Sequence, residues 1–204
     1  MSFITFEGID CSGKTTQIKL LKKEFGGKKG IVFTANPGDT KLGKELRNLL
    51  LHKSNLKISE INEAFLFFTG ICDNYEKNIL PSLSQKKIVL CDRYYDSTIA
   101  YQGFGRRLDV NKIIKLAEIS GLPEPDLTFL FRIEYKLFRE RRGKKDSNDN
   151  IENSKAQFYE SVIAGYDELA NIYKTRYIVI DGSQSIEKVN LQVKKILSDK
   201  LNIC

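Results

Sequence analysis

Eight consecutive residues, Gly8-Ile9-Asp10-Cys11-Ser12-Gly13-Lys14-Thr15, carry two glycines, a lysine and a hydroxyl at the spacing Gly-x-x-x-x-Gly-Lys-Ser/Thr. That spacing suits a polyphosphate. Gly13 lets the backbone approach the oxygens, successive N–H groups and a helix start point at them, and Lys14 reaches the β- and γ-phosphates. The Thr15 hydroxyl can ligate Mg²⁺. Gly8, Ile9, Asp10, Cys11, Ser12, Gly13, Lys14, Thr15 and Thr16 therefore form the expected cradle. It follows the apolar, β-prone Phe3-Ile4-Thr5-Phe6 and leads into Gln17-Ile18-Lys19-Leu20-Leu21, which has helical apolar spacing. This strand-loop-helix setting separates a phosphate site from an ordinary glycine turn.

A second charged pair, Asp92-Arg93, ends the apolar run Lys87-Ile88-Val89-Leu90-Cys91. A carboxylate at a strand end can organise Mg²⁺ directly or through water, and the adjacent guanidinium can neutralise charge on a phosphoryl group in transfer. Without the cradle, Asp-Arg-Tyr reads as a helix cap followed by a surface arginine. With it, Lys14, Asp92 and Arg93 become catalytic candidates, and Thr15 and Asp92 metal-ligand candidates. A cradle alone is compatible with ATPases, GTPases, transport motors and small-molecule kinases. The chain lacks an Asn/Thr-Lys-x-Asp guanine-recognition segment and a motor's extra domains, which leaves a small phosphotransferase.

The elements that must hold these residues follow from alternating apolar runs. Strands are predicted at Gly30–Thr34, Lys87–Cys91, Asp126–Phe131 and Tyr177–Asp181, besides the first. Helices are predicted from Lys41, over Ser59–Ile79, around Ser97–Gln102, and over Val110–Ser120, Tyr135–Arg142 and Lys155–Tyr173, with a last one from Ser185. Ser59 is placed as N-cap of the second of these and Pro81 as its end, with Phe65-Leu66-Phe67-Phe68 facing core or ligand. Gly143–Asn150 is too polar to pack and reads as a mobile loop. Five strands alternating with helices imply a five-stranded parallel sheet flanked by helices, with ligands at the strands' carboxyl ends, and the Gly8–Thr15 motif at the first strand's end makes an α/β P-loop NTPase three-layer fold the expectation.

The 204 residues, 41% hydrophobic and 29% charged, fit a single domain spanning 1–204. The net charge of +7 comes from scattered lysines without a helix-turn-helix, zinc-finger or RNP signature, so small-molecule nucleotides are expected as partners rather than nucleic acid. Cys11, Cys72, Cys91 and Cys204 lack C-x-x-C spacing and read as reduced thiols. The single histidine, His52, follows Leu49-Leu50-Leu51 as a helix-end surface residue, leaving no histidine metal site or Ser/His/Asp triad. With no signal peptide and no apolar run near about 20 residues, a cytoplasmic protein without membrane contact is expected.

Phe6-Glu7-Gly8-Ile9-Asp10 through Gln17, Pro37-Gly38-Asp39-Thr40, Leu46-Arg47-Asn48-Leu49-Leu50-Leu51 and Asp92-Arg93-Tyr94-Tyr95-Asp96-Ser97-Thr98-Ile99-Ala100-Tyr101-Gln102-Gly103 form a recognisable pattern. The chain resembles the bacterial-type thymidylate kinases, from residue 2 through Gly165–Ala170 to Asp181. The resemblance implies transfer of the ATP γ-phosphoryl group to dTMP, giving dTDP and ADP for dTTP synthesis, with Mg²⁺ and commonly as a homodimer. It implies that Asp10 engages the acceptor's sugar and phosphate end, and that Arg47 and Arg93 bind its phosphate. Phe67 matches the ring that stacks on thymine, Ser97, Thr98 and Gln102 match base contacts, and Tyr101 matches a ring that crowds a ribose 2′-OH. Residues 139–152 match a lid over ATP, with Arg141 and Arg142 as candidate catalytic arginines.

The pattern breaks at several charges. Ala35-Asn36 stands where Arg-Glu is usual, Ile71 where an arginine meets thymine, and Asn150 where a lid arginine is usual; Arg132-Ile133 replaces an acidic strand end. A kinase for another deoxynucleoside monophosphate and a nucleotide-binding regulatory protein are the alternatives to thymidylate phosphorylation.

Overall fold

The computed structural model describes residues 2–51, 57–143 and 149–201, with side chains described for all of these but 149–154 and 201. Strand β1 (Ser2–Glu7) leads through the glycine loop into α1 (Lys14–Phe25), followed by β2 (Ile31–Ala35) and α2 (Lys41–Leu51). Then come α3 (Glu60–Asn74), a π-helical turn at Tyr75–Ile79, α4 (Leu80–Ser84), β3 (Ile88–Asp92), α5 (Tyr95–Thr98) and a second π-helical segment, Ile99–Gly105. The chain continues with α6 (Val110–Ile119), β4 (Leu127–Arg132), α7 (Tyr135–Arg142), α8 (Asp149–Ile172), β5 (Tyr177–Asp181) and α9 (Ile186–Leu201).

All strand pairs are parallel, in the order β2-β3-β1-β4-β5. Alternation along β1 explains the layers. Phe3 packs with Phe68, Ile71, Tyr94, Val162 and Tyr166 on one face, while Ile4 and Phe6 pack with Ile18, Leu21, Val193 and Leu197 on the other. Both faces of the central strand are thus covered, the condition under which parallel sheets are stable. Register matters most for function. Phe6 pairs with Asp92 on one side and with Phe129 on the other, so the chain leaves β1 at Glu7-Gly8 directly beside the Asp92-Arg93 exit from β3.

The five-stranded parallel α/β architecture matches the sequence expectation. Strands β2, β3 and β4 each begin and end one residue later than expected, and two helix boundaries differ most. Ser59 does cap α3, accepting from the Asn62 N–H at 3.5 Å, but Pro81 does not end the helical path, which runs on to Ser84. The Leu80 N–H reaches back to the Tyr75 carbonyl across the π turn, so hydrogen bonding is already re-registered where the proline lacks its donor. The helix expected from Lys155 begins at Asp149, absorbing the end of the polar loop. The rest of that loop, 144–148, and His52 lie outside the described residues.

Asp96 anchors the segment after β3. It is fully buried and accepts from Arg176 Nη1 and Nη2 at 2.6 and 2.9 Å, while Nη1 also donates to Thr128 at 2.7 Å. Arg176 lies between the Tyr173 and Tyr177 rings, with centroids at 4.5 and 4.8 Å, so the buried charge is paired and stacked as burial requires. No helix among the described residues is long and apolar enough to cross a membrane.

Candidate active site

The glycine loop curls over the carboxyl ends of β1 and β4. Gly13 has φ +94° and opens onto free space. Gly8 serves differently: a Cβ there would stand 2.5 Å from the Phe131 carbonyl, so the residue's lack of a side chain lets the loop pack onto β4. It lies beneath the cradle rather than in its wall, unlike the other predicted loop residues. Ile9, Asp10, Cys11, Ser12, Gly13, Lys14, Thr15 and Thr16 line one pocket together with Gln17, Arg141, Gly182 and Gln184. Thr15 and Thr16 are exposed at the first turn of α1, so their hydroxyls are open to a ligand.

Lys14 is 5% exposed, and its Nζ lies 3.4 Å from Asp92 Oδ1. Burial lowers the Lys14 pKa, and the nearby Arg93 lowers it further, against the attraction of Asp92. Asp92 Oδ1 is buried and has no hydrogen-bond partner among the described residues, the ion pair being poorly aligned for one. An orphaned carboxylate oxygen beside the Thr15 hydroxyl's loop is a hard oxygen donor of the kind Mg²⁺ takes, directly or through water. The residues present therefore fit the metal.

Arg93 occupies the left-handed region at φ +67°, unusual for a side-chain-bearing residue. Its Nη2 meets Asp10 Oδ1 at 2.7 Å, and its Nη1 donates to the Gly8 carbonyl at 2.9 Å and the Ser97 hydroxyl at 3.1 Å. The guanidinium lies 5.3 Å from the Tyr101 ring centroid. Beside it opens a second pocket, lined by Asp10, Asn36, Pro37, Arg47, Leu51, Phe67, Ile71, Arg93, Tyr94, Ser97, Thr98, Tyr101 and Gln102. Every predicted acceptor residue lies on this wall. Of the aromatic cluster, Phe68 enters the core, Phe65 faces outward and Phe67 faces the pocket. Ile71 is 3% exposed and forms apolar wall where the family pattern carries an arginine.

The two candidate lid arginines separate. Arg141 donates to the Cys11 carbonyl at 3.1 Å and the Gly182 carbonyl at 2.9 Å, and so closes one side of the cradle. Arg142 turns away, donating to the Tyr159 hydroxyl at 2.8 Å within a different cavity with Arg106 and Arg107. The i and i+1 positions of a helix point in different directions, so α7 does not bring both to the cradle. Cys11, Cys72 and Cys91 are unpaired thiols, and Cys204 lies outside the described residues.

Four residues escaped the sequence reading as site components. Gly182 and Gln184 reach the cradle from the β5–α9 turn. Glu7 is completely buried at the base of the site, accepting from Tyr94, Ser97 and Tyr166. An acidic residue closing an apolar strand was the available signal for Glu7, because buried carboxylates are rare without partners. Tyr166 comes from the distant α8 and had no local signal.

A phosphate cradle at a parallel sheet's carboxyl edge, with a carboxylate-arginine pair leading into an adjoining pocket, defines a P-loop kinase of nucleoside monophosphates. The family profile described as thymidylate kinase matches residues 6–193. A thymidylate kinase of Mycoplasmopsis pulmonis is 41% identical over 97% of this chain and 88% of its own length. One from Kosmotoga olearia is 38% identical over 95% and 93%. The crystal structure of thymidylate kinase from Ehrlichia chaffeensis superposes with a TM-score of 0.78 at 37% identity, covering 97% of this chain and 98% of that one. The chain belongs to the thymidylate kinase family.

Proposed function

We propose that this protein transfers the γ-phosphoryl group of ATP to dTMP, acting as one kinase domain over 1–204 with its lid rooted near residue 139. The reading is carried by one observation: Asp10 and the Arg93 guanidinium stand at the junction of the cradle and the second pocket, 2.7 Å apart. Donor and acceptor phosphates would meet there.

ATP would lie with its phosphates along the N–H groups of residues 9–16, and Lys14 would neutralise charge on the β/γ oxygens. Mg²⁺, held by Thr15 and Asp92, would supply further neutralisation of the phosphates when bound. Arg93 and Arg47 would grip the acceptor phosphate, the planar guanidinium matching its oxygens with paired hydrogen bonds. Phe67 would stack on the base, with Thr98 and Gln102 at its polar edge and Tyr101 against the sugar. Asp10 would position the acceptor's sugar and phosphate end, and Arg141 would bring positive charge over the cradle. Exposed Ile61 and Phe65 on α3, at 43% and 51% exposure, support a homodimer formed beside the acceptor site.

The test is ADP release in a coupled assay with ATP, Mg²⁺ and a panel of monophosphates. The expected order is dTMP, then dUMP, with ribonucleotides and purines far behind. A purine monophosphate turned over more efficiently than dTMP would reject the acceptor assignment. ATP binding without turnover on any acceptor would favour a regulatory nucleotide-binding role.

A further inference from the structure

Glu7 has no place in the scheme above and does not line the acceptor pocket, yet it is 0% exposed beneath it. Three donors converge on its carboxylate. The Tyr94 N–H donates to Oε1 at 2.6 Å, and the hydroxyls of Ser97 and Tyr166 donate to Oε2 at 2.5 and 3.1 Å. In its ionised form the Glu7 carboxylate accepts only, so both hydroxyl hydrogens are then drawn toward it and the oxygen lone pairs are left facing the other way. Arg93 Nη1 lies on that other side, 3.1 Å from Ser97 Oγ and 3.3 Å from Tyr166 Oη. Ser97 Oγ and Tyr166 Oη also lie 2.9 Å apart, and with Glu7 ionised the hydrogen bonds run from guanidinium to hydroxyls to carboxylate.

The backbone tells the same story. Arg93 sits at φ +67°, a conformation unfavourable for a residue with a Cβ and one that needs support from outside. Its N–H donates to the Phe6 carbonyl at 3.0 Å, and its carbonyl accepts from Asn36 Nδ2 at 3.0 Å. The next N–H, that of Tyr94, is the one held by Glu7.

We propose that Glu7 is a positioning residue for Arg93, holding its left-handed backbone and setting the direction of the Ser97–Tyr166 hydrogen-bond chain that aims the guanidinium at the acceptor. The proposal rests on the reading of Arg93 as a ligand of the acceptor phosphate. Glu7 acts through that arginine and touches neither nucleotide.

The discriminating variant is Glu7→Gln, which keeps shape and volume but puts an amide donor where an acceptor was, forcing a hydroxyl to reverse. Steady-state kinetics are measured for wild type, Glu7→Gln, Arg93→Ala and the double variant, each checked by thermal melt. Glu7→Gln is expected to lower kcat/KM for dTMP about tenfold to a hundredfold, the range of one charge-assisted hydrogen bond, without altering KM for ATP. In the Arg93→Ala background the same change should cost less than about twofold, because coupled residues are non-additive. An undiminished Glu7→Gln loss beside a severe Arg93→Ala loss overturns this proposal alone. Wild-type dTMP kinetics in Arg93→Ala overturn the Arg93 reading, and this proposal with it. Tyr166→Phe, which removes one relay hydroxyl and leaves the carboxylate, supplies the same cycle if Glu7→Gln does not fold, with the same criteria.

Discussion

The donor cradle and the acceptor pocket share Asp10 but are built by different rules. Most of the cradle is one contiguous stretch, residues 9–17, whose recognition groups are largely backbone N–H donors at a helix start. The acceptor pocket draws side chains from the loop after β2, from α2 and α3, and from the π segment after α5. Backbone donors tolerate change in side chains. A pocket made of side chains can be retuned one position at a time, and Asn36 and Ile71 both fall in the acceptor wall. Catalytic power is therefore expected to concentrate at the cradle, and selectivity at the pocket.

Lys14→Ala is the hardest test of that division. It should lower kcat by two to three orders of magnitude or more, the scale for deleting one preorganised charge donor, while the protein still melts cooperatively. Turnover near wild type would break the comparison at its donor end.

Glu7 lies where the two regions join, and its titration gives the next largest effect. Burial first, and then the Asp96 charge, push its pKa up to about 7 from 4.5, against the opposing pull of Arg93. The folded protein then holds this proton between those values while the unfolded chain has lost it. The Glu7 contribution to stability is thus present below about pH 4.5 and is lost as pH rises toward 7, by at most about 3 kcal/mol. Melts of wild type and Glu7→Gln from pH 5 to 8 should diverge accordingly, wild type losing ground as pH rises. A constant difference between them would show that Glu7 does not titrate in this range.

At the acceptor end, Arg93→Lys should cost about tenfold to a hundredfold in kcat/KM for dTMP and leave KM for ATP unchanged, since charge survives but the planar fork does not. A loss shared equally with ATP would move Arg93 to the donor side. The smallest effect is expected from Ile71→Arg, which should tighten dTMP binding by about 1–2 kcal/mol by adding a charge-assisted contact to the base. Weaker dTMP binding in a folded variant would show a pocket rebuilt around Ile71, with the added charge buried unpaired.

What could be read from the sequence follows the same division. Lys14 and Thr15 were legible because motif, preceding strand and following helix lie together, and the parallel sheet was legible because β3 and β4 are short, mostly apolar runs. The family pattern pointed to Phe67, Ser97 and Gln102, and of these Phe67 fits core packing equally well by residue type alone. Tyr166 was invisible because 73 positions separate it from Arg93 and only the packing of α8 brings them together. Arg142 was grouped with Arg141 because adjacency in sequence says nothing of which way a helix turns each side chain. Pro81 misled for a related reason: the re-registered turn that accommodates it leaves no trace in composition.

The π segment Ile99–Gly105 bears on how this chain can change over generations. A turn that closes one residue later than an α-helix is, in effect, a helix carrying one surplus residue, and here that surplus lies among Tyr101 and Gln102. Deleting a single residue from it would give a more regular helix and rotate everything downstream by about a quarter turn relative to the acceptor wall. Such a deletion would improve the backbone locally and cost the pocket its polar edge. A one-residue deletion in this stretch is therefore expected to remove acceptor binding while leaving the fold intact.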